Sequence, residues 1–341
     1  MNHNAWLSKK LKSGKIMCEA CSQSCTLDEG EYGICGVRRV EDGELKLLVY
    51  GVAAAINVDP VEKKPMFHFL PKSRAFSVGT VGCNFSCKFC QNYDISQYPK
   101  EHSHQIIGQQ FAPDEIVELA IENRCNSIAY TYNEPVVFFE YTYDTAKLAK
   151  DKGLKNIYVT SGYETKKAID LLAPYIDGMN IDIKSFSDEF YKEVCGARLK
   201  PVLETVKYAH DKGIWVEITT LLIEGKNDSD EEIRGIAKFI ASVDTSMPWH
   251  LSAFHPMYKM LDIPRTSAAT LHRAYKIGQE EGLKYVYVGN IDDNDYESTY
   301  CPSCKHKVID RSGNIGQFVT NYLDENGTCP HCGYSLKGVW E

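Results

Sequence analysis

The chain of 341 residues has no apolar run approaching the roughly 20 residues that a membrane helix needs. No apolar stretch of signal-peptide length follows Met1-Asn2-His3-Asn4-Ala5-Trp6, so the cytoplasm is the expected compartment. There is no internal repeat of the kind that builds solenoids, and no low-complexity tract. Positive charge is in deficit: 38 Lys and Arg against 46 Asp and Glu give a formal net charge of −8. That balance argues against nucleic acid held by a broad basic surface, while leaving a local basic site open. With 43% hydrophobic and 25% charged residues, the chain reads as globular, long enough for about two domains.

Cysteine is the residue in excess. Thirteen cysteines do not fit a reducing compartment as disulfides, so clustered ones are expected to be metal ligands or catalysts. Eleven fall into three groups: Cys18, Cys21, Cys25 and Cys35; Cys83, Cys87 and Cys90; and Cys301, Cys304, Cys329 and Cys332. Cys125 and Cys195 stand alone and read as small buried hydrophobes.

The groups divide the chain into an N-terminal cysteine-rich segment (1–70), a central segment (71–291) and a tail (292–341) that opens with Asp292-Asp293-Asn294-Asp295. In the central segment, β-rich runs at 75–81, 127–132, 156–160, 178–183, 214–223, 249–254 and 285–289 alternate with helical patterns. One helix opens at Pro113-Asp114-Glu115, and others cover Tyr141–Lys152, Glu164–Leu172, Pro201–Lys212, Asp230–Val243 and Ala268–Glu281. Such alternation means βαβ units and a parallel sheet, and six or seven units suit a full or partial barrel. Polar residues gather just past the strands: Asn133-Glu134, Thr160-Ser161, Asp182 with Lys184, His255, and Gly289-Asn290. In parallel α/β proteins ligands bind at those carboxyl ends.

The middle cysteines form a C-x3-C-x2-C loop directly after the first strand. Three thiolates on one short loop suit three irons of a cubane cluster and leave the fourth iron open. The alternative is a zinc completed by a distant histidine; zinc more often takes paired C-x2-C knuckles. The polar residues also have plain readings. Glu134-Pro135 could be a turn, Asp182 and Lys184 an ion pair on one strand face, and His255 a hydrogen-bonded core residue.

The loop, with Phe89 before its last cysteine, resembles the radical S-adenosylmethionine (SAM) signature, and the likeness extends over residues 71–291. Thr131-Tyr132-Asn133-Glu134-Pro135 is similar to that superfamily's "GGEP" segment, with Tyr-Asn in place of Gly-Gly. Thr160-Ser161-Gly162 and Asp182-Ile183-Lys184 resemble the "TNG" and "DxK" segments of glycyl-radical-enzyme activases, and His255 a histidine that they place near the ribose. The resemblance implies a partial (β/α)6 TIM-like barrel of the radical SAM type. It implies a [4Fe-4S] cluster on Cys83, Cys87 and Cys90, and SAM contacts from Phe89, Asn133, Glu134, Pro135, Ser161, Asp182, Lys184, His255 and Asn290. It also implies an enzyme that cleaves SAM to a 5′-deoxyadenosyl radical, supplied with electrons by a donor such as flavodoxin or ferredoxin. Cys18-Glu19-Ala20-Cys21, Gly33-Ile34-Cys35-Gly36-Val37-Arg38, Asn57–Pro65, Gly79–Phe85 and the closing knuckles resemble the AmmeMemoRadiSam-system radical SAM enzymes. These are relatives of pyruvate formate-lyase activating enzyme, and their name implies Memo-type and Ammecr-type partner proteins.

The tail carries two C-x2-C knuckles, Cys301/Cys304 and Cys329/Cys332, which read as a zinc-ribbon-like or rubredoxin-like site, with zinc favoured over a mononuclear iron. Cys18, Cys21, Cys25 and Cys35 are expected to hold zinc or an auxiliary iron–sulfur cluster, with zinc favoured; thiols touching a substrate are a third reading. Lys9, Lys10, Lys12, Lys15, Lys63, Lys64, Lys72 and Arg74 make the first segment locally basic, read as a solvated face before a docking site for an acidic electron donor. A zinc-binding interaction module without catalysis is the competing function; the three-thiol loop, with no fourth ligand nearby, speaks against it.

Overall fold

A computed structural model describes residues 3–291, 294–312 and 318–341; Met1, Asn2, Asp292 and Asp293, named above, lie outside the described residues. Seven parallel strands form the centre: β1 (Arg74–Gly79), β2 (Ser127–Tyr130), β3 (Lys155–Thr160), β4 (Gly178–Asp182), β5 (Trp215–Leu222), β6 (Trp249–Ala253) and β7 (Val286–Gly289). One long helix fills each crossover: α1 (Pro113–Glu122), α2 (Phe139–Asp151), α3 (Lys166–Leu172), α4 (Leu199–Asp211), α5 (Asp230–Val243) and α6 (Ala268–Glu280). The strands lie side by side in strict chain order, and β7 does not pair back with the opposite edge among the described residues. Right-handed crossovers of that order put every helix on one face. The sheet therefore curls around its other face as a partial barrel.

The strand sequences suit that position. Ser127-Ile128-Ala129-Tyr130 is buried throughout, as a strand covered on both faces must be. The helices carry their own start signals. Ser229 accepts from the Glu232 N–H, three acidic residues occupy the first turn of α5, and Ile233, Ile236, Ala237 and Ile240 face the sheet. One boundary departs from expectation: α3 begins at Lys166, because Thr165 is its cap and accepts from Ala168 N. That leaves Glu164 outside the helix and turned inward.

The last strand of the N-terminal segment, Ala55–Pro60, pairs antiparallel with β1 and forms the edge of the large sheet, so the sheet begins before residue 71. The rest of that segment makes two small three-stranded sheets and a short strand, Val52–Ala53, that pairs with Gln109–Gln110. It is fastened to α2 by a buried ion pair, Arg38 to Glu140 at 2.5 Å, with side chains 2% and 0% exposed. In the tail, Thr299–Tyr300, Lys307–Ser312 and Phe318–Asn321 form a three-stranded sheet. Phe67, Tyr285 and Tyr287 share an apolar cluster with Cys301, Val308, Cys329 and Leu336, so the tail packs on the barrel through the region of its paired cysteines.

Candidate active site

Cys83, Cys87 and Cys90 leave the end of β1 and line one cavity of ≈ 540 Å³ inside the barrel. Their loop is held by backbone bonds from Ser86 N to Cys195 O (2.8 Å) and from Lys88 N to Val194 O (3.0 Å). Gln97 Nε2 and Lys100 Nζ both donate to Phe85 O, at 3.1 and 2.7 Å. Phe85 N donates to Cys83 Sγ at 3.4 Å, and Cys90 Sγ lies 3.2 Å from Ser96 Oγ. Burial pushes the Cys83 and Cys90 thiols up. Cys87 is also raised, first by its contact with the Cys195 thiol and then by burial. Cys125 is a buried small side chain, as expected. Cys195 is buried too, but it stands beside the cysteine loop rather than apart from it; its distance in sequence hides this.

The donor set fits a three-thiolate cluster. The three thiols share one cavity wall, and the single histidine among the described lining residues, His250, is engaged 2.6 Å from Glu217 Oε2. Among the described residues, no compact four-ligand metal set forms around these three thiols.

Glu134 follows β2 and is buried. Its carboxylate accepts from Ser161 N (2.8 Å) and Thr160 Oγ1 (2.7 Å) at the end of β3. Burial raises it, and the Ser161 N–H opposes that rise. Glu164 sits on the other side of the same hydroxyl, 2.5 Å from Thr160 Oγ1. Burial, then the neighbouring Glu134, pushes Glu164 up to about 8. Sequence reading passed over Glu164 as the start of a helix; the signal was a carboxylate four residues past a strand end.

Tyr132 and Asn133 replace the paired glycines, and the structure accommodates both. Tyr132 takes a left-handed φ of 71°. That conformation costs a side-chain-bearing residue about 1–2 kcal/mol. Its hydroxyl donates to Asp59 Oδ2 (2.7 Å), its carbonyl accepts from Asn92 Nδ2 (2.7 Å), and Lys64 lies over its ring. Asn133 spends its amide on the scaffold, donating to Gly82 O (2.7 Å) and Thr80 Oγ1 (3.1 Å) and accepting from Thr80 N (3.2 Å). It locks the end of β2 to the end of β1. Lys64 corrects the reading of a solvated basic face: it is buried and pairs with Asp59 at 2.7 Å.

Asp182 and Lys184 form the expected ion pair, at 2.7 Å, and both line the cavity. Burial alone would lower Lys184, yet Asp182 and Cys87 hold it well above its ordinary value. Its ammonium stands 5.9 Å from the centre of the Phe89 ring. Asn290, at the end of β7, lines the cavity with a left-handed backbone and donates to Ser252 Oγ at 2.8 Å. Two expected contacts lie off the wall. Pro135 is buried as the first residue of the turn that follows Glu134, so it aims Glu134 rather than facing the cavity. His255 is half-buried two residues beyond the end of β6, and it is His250, within that strand, that reaches the lining.

In the tail, Cys301, Cys304, Cys329 and Cys332 bring their sulfurs within 4.8 Å of one another. The pairs Cys301–Cys332 and Cys304–Cys329 are 3.6 and 3.7 Å apart. A metal about 2.3 Å from each of four tetrahedral sulfurs requires spacings of about 3.8 Å, so the site suits one mononuclear ion.

Fold and site together define a class: a partial α/β barrel with an open three-thiolate loop after its first strand and charged groups on the ends of the others. The chain matches the radical SAM superfamily over residues 77–240. It is 42% identical over 336 residues to the uncharacterized protein MJ0808 of Methanocaldococcus jannaschii, across 98% of this chain and 99% of that one. The chain belongs to the radical SAM superfamily and is an enzyme, and the superfamily brings SAM and a [4Fe-4S] cluster. Pyruvate formate-lyase 1-activating enzyme of Escherichia coli (strain K12) is 20% identical over 220 residues, 60% of this chain and 89% of that protein. A radical SAM methyltransferase from Sphaerobacter thermophilus shares the fold, with a TM-score of 0.51 and 18% identity over 65% of this chain and 67% of that one.

Proposed function

We propose that the chain cleaves SAM reductively in the central cavity and abstracts hydrogen from an organic substrate bound beside it. One observation carries this reading: Cys83, Cys87 and Cys90 share a single cavity with Glu134, Ser161, Asp182, Lys184 and Asn290. Its volume is within the range of about 300–1,000 Å³ that encloses a molecule of drug size. With the cluster and SAM bound, the site supplies one-electron cleavage of the S–C5′ bond and hydrogen abstraction by the resulting 5′-deoxyadenosyl radical.

The chain's own residues bind, orient and exclude water. Glu134 is placed to accept from the SAM ammonium, and Lys184 to pair with its carboxylate. Ser161 and Asp182 serve the carboxylate and ribose, and Asn290 the adenine. Below them the cavity ends at His250, Tyr287 and Glu297, with Arg311 donating to Phe67 O and Thr299 Oγ1 underneath. That floor keeps solvent from entering at the amino ends of the strands.

A second reading is that the substrate is a protein whose glycine loses the hydrogen. The likeness to pyruvate formate-lyase 1-activating enzyme supports it. Within the superfamily we place the chain among the AmmeMemoRadiSam-system enzymes, on the two flanking cysteine groups and Asn57–Pro65, with Memo-type and Ammecr-type proteins as partners, a flavodoxin or ferredoxin as donor, and zinc in the tail.

The test is anaerobic SAM cleavage with dithionite, read as 5′-deoxyadenosine. Cys87→Ala is expected to abolish cleavage and the cluster absorption while keeping the tail metal. Full cleavage by that variant overturns the reading.

A further inference from the structure

Cys18, Cys21, Cys25 and Cys35 surround one small void, and Arg38 and Asn84 complete the part of its wall that matters here. All four are free thiols. The Ile34 N–H donates to Cys25 Sγ at 3.5 Å. The Asn84 side chain lies beside Cys21, and its Nδ2 is buried with no hydrogen-bond partner among the described residues. A buried amide donor without an acceptor is costly unless something at the site accepts from it. The Arg38 guanidinium adds a cation beside Cys18 and Cys35.

Spacing separates the two kinds of metal group. Among the described residues, the tail tetrad is the set whose metal-ligating atoms gather within 4.8 Å. The N-terminal cysteines are spread more widely, as are Cys83, Cys87 and Cys90, and they leave a void of ≈ 10 Å³ between them. Four sulfurs at tetrahedral zinc distance, about 2.3 Å from a common centre, leave no void at all. A cubane holds its thiolates on outer corners, farther apart, and has sulfides that accept hydrogen bonds.

We propose that Cys18, Cys21, Cys25 and Cys35 hold a second iron–sulfur cluster, a [4Fe-4S] cubane with four protein ligands. This reverses the preference for zinc that their spacing in sequence suggests. Four thiolates leave no iron open, so this cluster does not bind SAM. It shares a wall with the three-thiolate loop. Asn84 Oδ1 lies 3.8 Å from Cys83 Sγ while the same side chain faces Cys21. A Cβ on Gly82 would come 2.7 Å from Cys35 O, so the two chain segments are in backbone contact.

The test uses the full chain carrying Cys83→Ala, Cys87→Ala and Cys90→Ala together, reconstituted with iron and sulfide without oxygen. Iron, acid-labile sulfide and zinc are counted per chain, and the dithionite-reduced protein is examined by electron paramagnetic resonance. The expected result is about four irons, about four sulfides and a spin-½ signal. Adding Cys21→Ser and Cys35→Ser is expected to remove all three while the tail metal, the reporter of folding, stays bound. Absence of sulfide from the triple variant, two zincs per chain, or sulfide retained after the further substitutions overturns the proposal. It stands apart from the proposed function: a wild-type chain that fails to cleave SAM, with the triple variant still holding sulfide, rejects the function and keeps this site.

Discussion

Glu134 and Glu164 flank the hydroxyl of Thr160, both buried, and two carboxylates so placed cannot both carry charge at modest cost. Glu134 receives the Ser161 N–H, which favours its charged form. Charge-assisted hydrogen bonds contribute about 1.5–3 kcal/mol, so Glu134→Ala is expected to weaken SAM binding about 10- to 100-fold, measured by equilibrium dialysis. Iron content should be unchanged; an unaltered affinity would reduce Glu134 to a turn residue. Glu164, raised from 4.5 to about 8, keeps in the folded state a proton that the unfolded chain releases. Stability of the ligand-free protein therefore falls as pH rises from about 4.5 to about 8. Glu164→Gln should flatten that slope in thermal unfolding followed across the window, and an identical slope in the variant would refute the assignment. At this scale the sequence picked out residues that line the cavity, Glu134, Asp182 and Lys184 among them, because each stands at or just past the end of an apolar strand run. It hid the partners: Glu164, Cys195 and His250 have no motif of their own and become neighbours only when the barrel curls.

The seven central strands were legible to within two residues at either end, since buried parallel strands are short apolar runs punctuated by helices. The edge strand Ala55–Pro60 was not, because Ala-Ile-Asn-Val-Asp-Pro alternates weakly and ends in proline. The element that ties the N-terminal segment to the barrel is α2, through Glu140, which takes Arg38 in a two-point bond at 3.2 and 2.5 Å. Removing one partner of a buried pair strands the other charge, at a cost of about 3–5 kcal/mol. Glu140→Ala is expected to lower unfolding free energy by about that amount in a urea titration; a loss below about 1 kcal/mol would mean that water reaches Arg38.

At the level of the whole molecule, the tail packs on the barrel. Arg311 is buried and donates to Phe67 O, and Val339 pairs with Phe69. The segment is short for a fold of its own, so a metal held by its four cysteines would supply much of its order. Cys329→Ser is expected to remove one metal per chain and lower the melting temperature by several degrees, with the absorption of the three-thiolate cluster retained. An unchanged melting temperature would show that the tail holds its shape through the Phe67, Tyr285 and Tyr287 contacts alone.

By itself the sequence determined the α/β alternation, the open cysteine loop, the paired knuckles and the strand-end polar residues. All of these are written in local periodicity and in short spacings that the chain cannot easily evade. The tertiary structure alone decided which groups share a space. It buried Lys64 against Asp59, turned Glu164 toward Glu134, set His250 rather than His255 on the cavity, and spread the first four cysteines around a void beside Asn84. Those outcomes depend on contacts between residues distant in the chain, which arise from the curl of the sheet and the docking of its flanking segments.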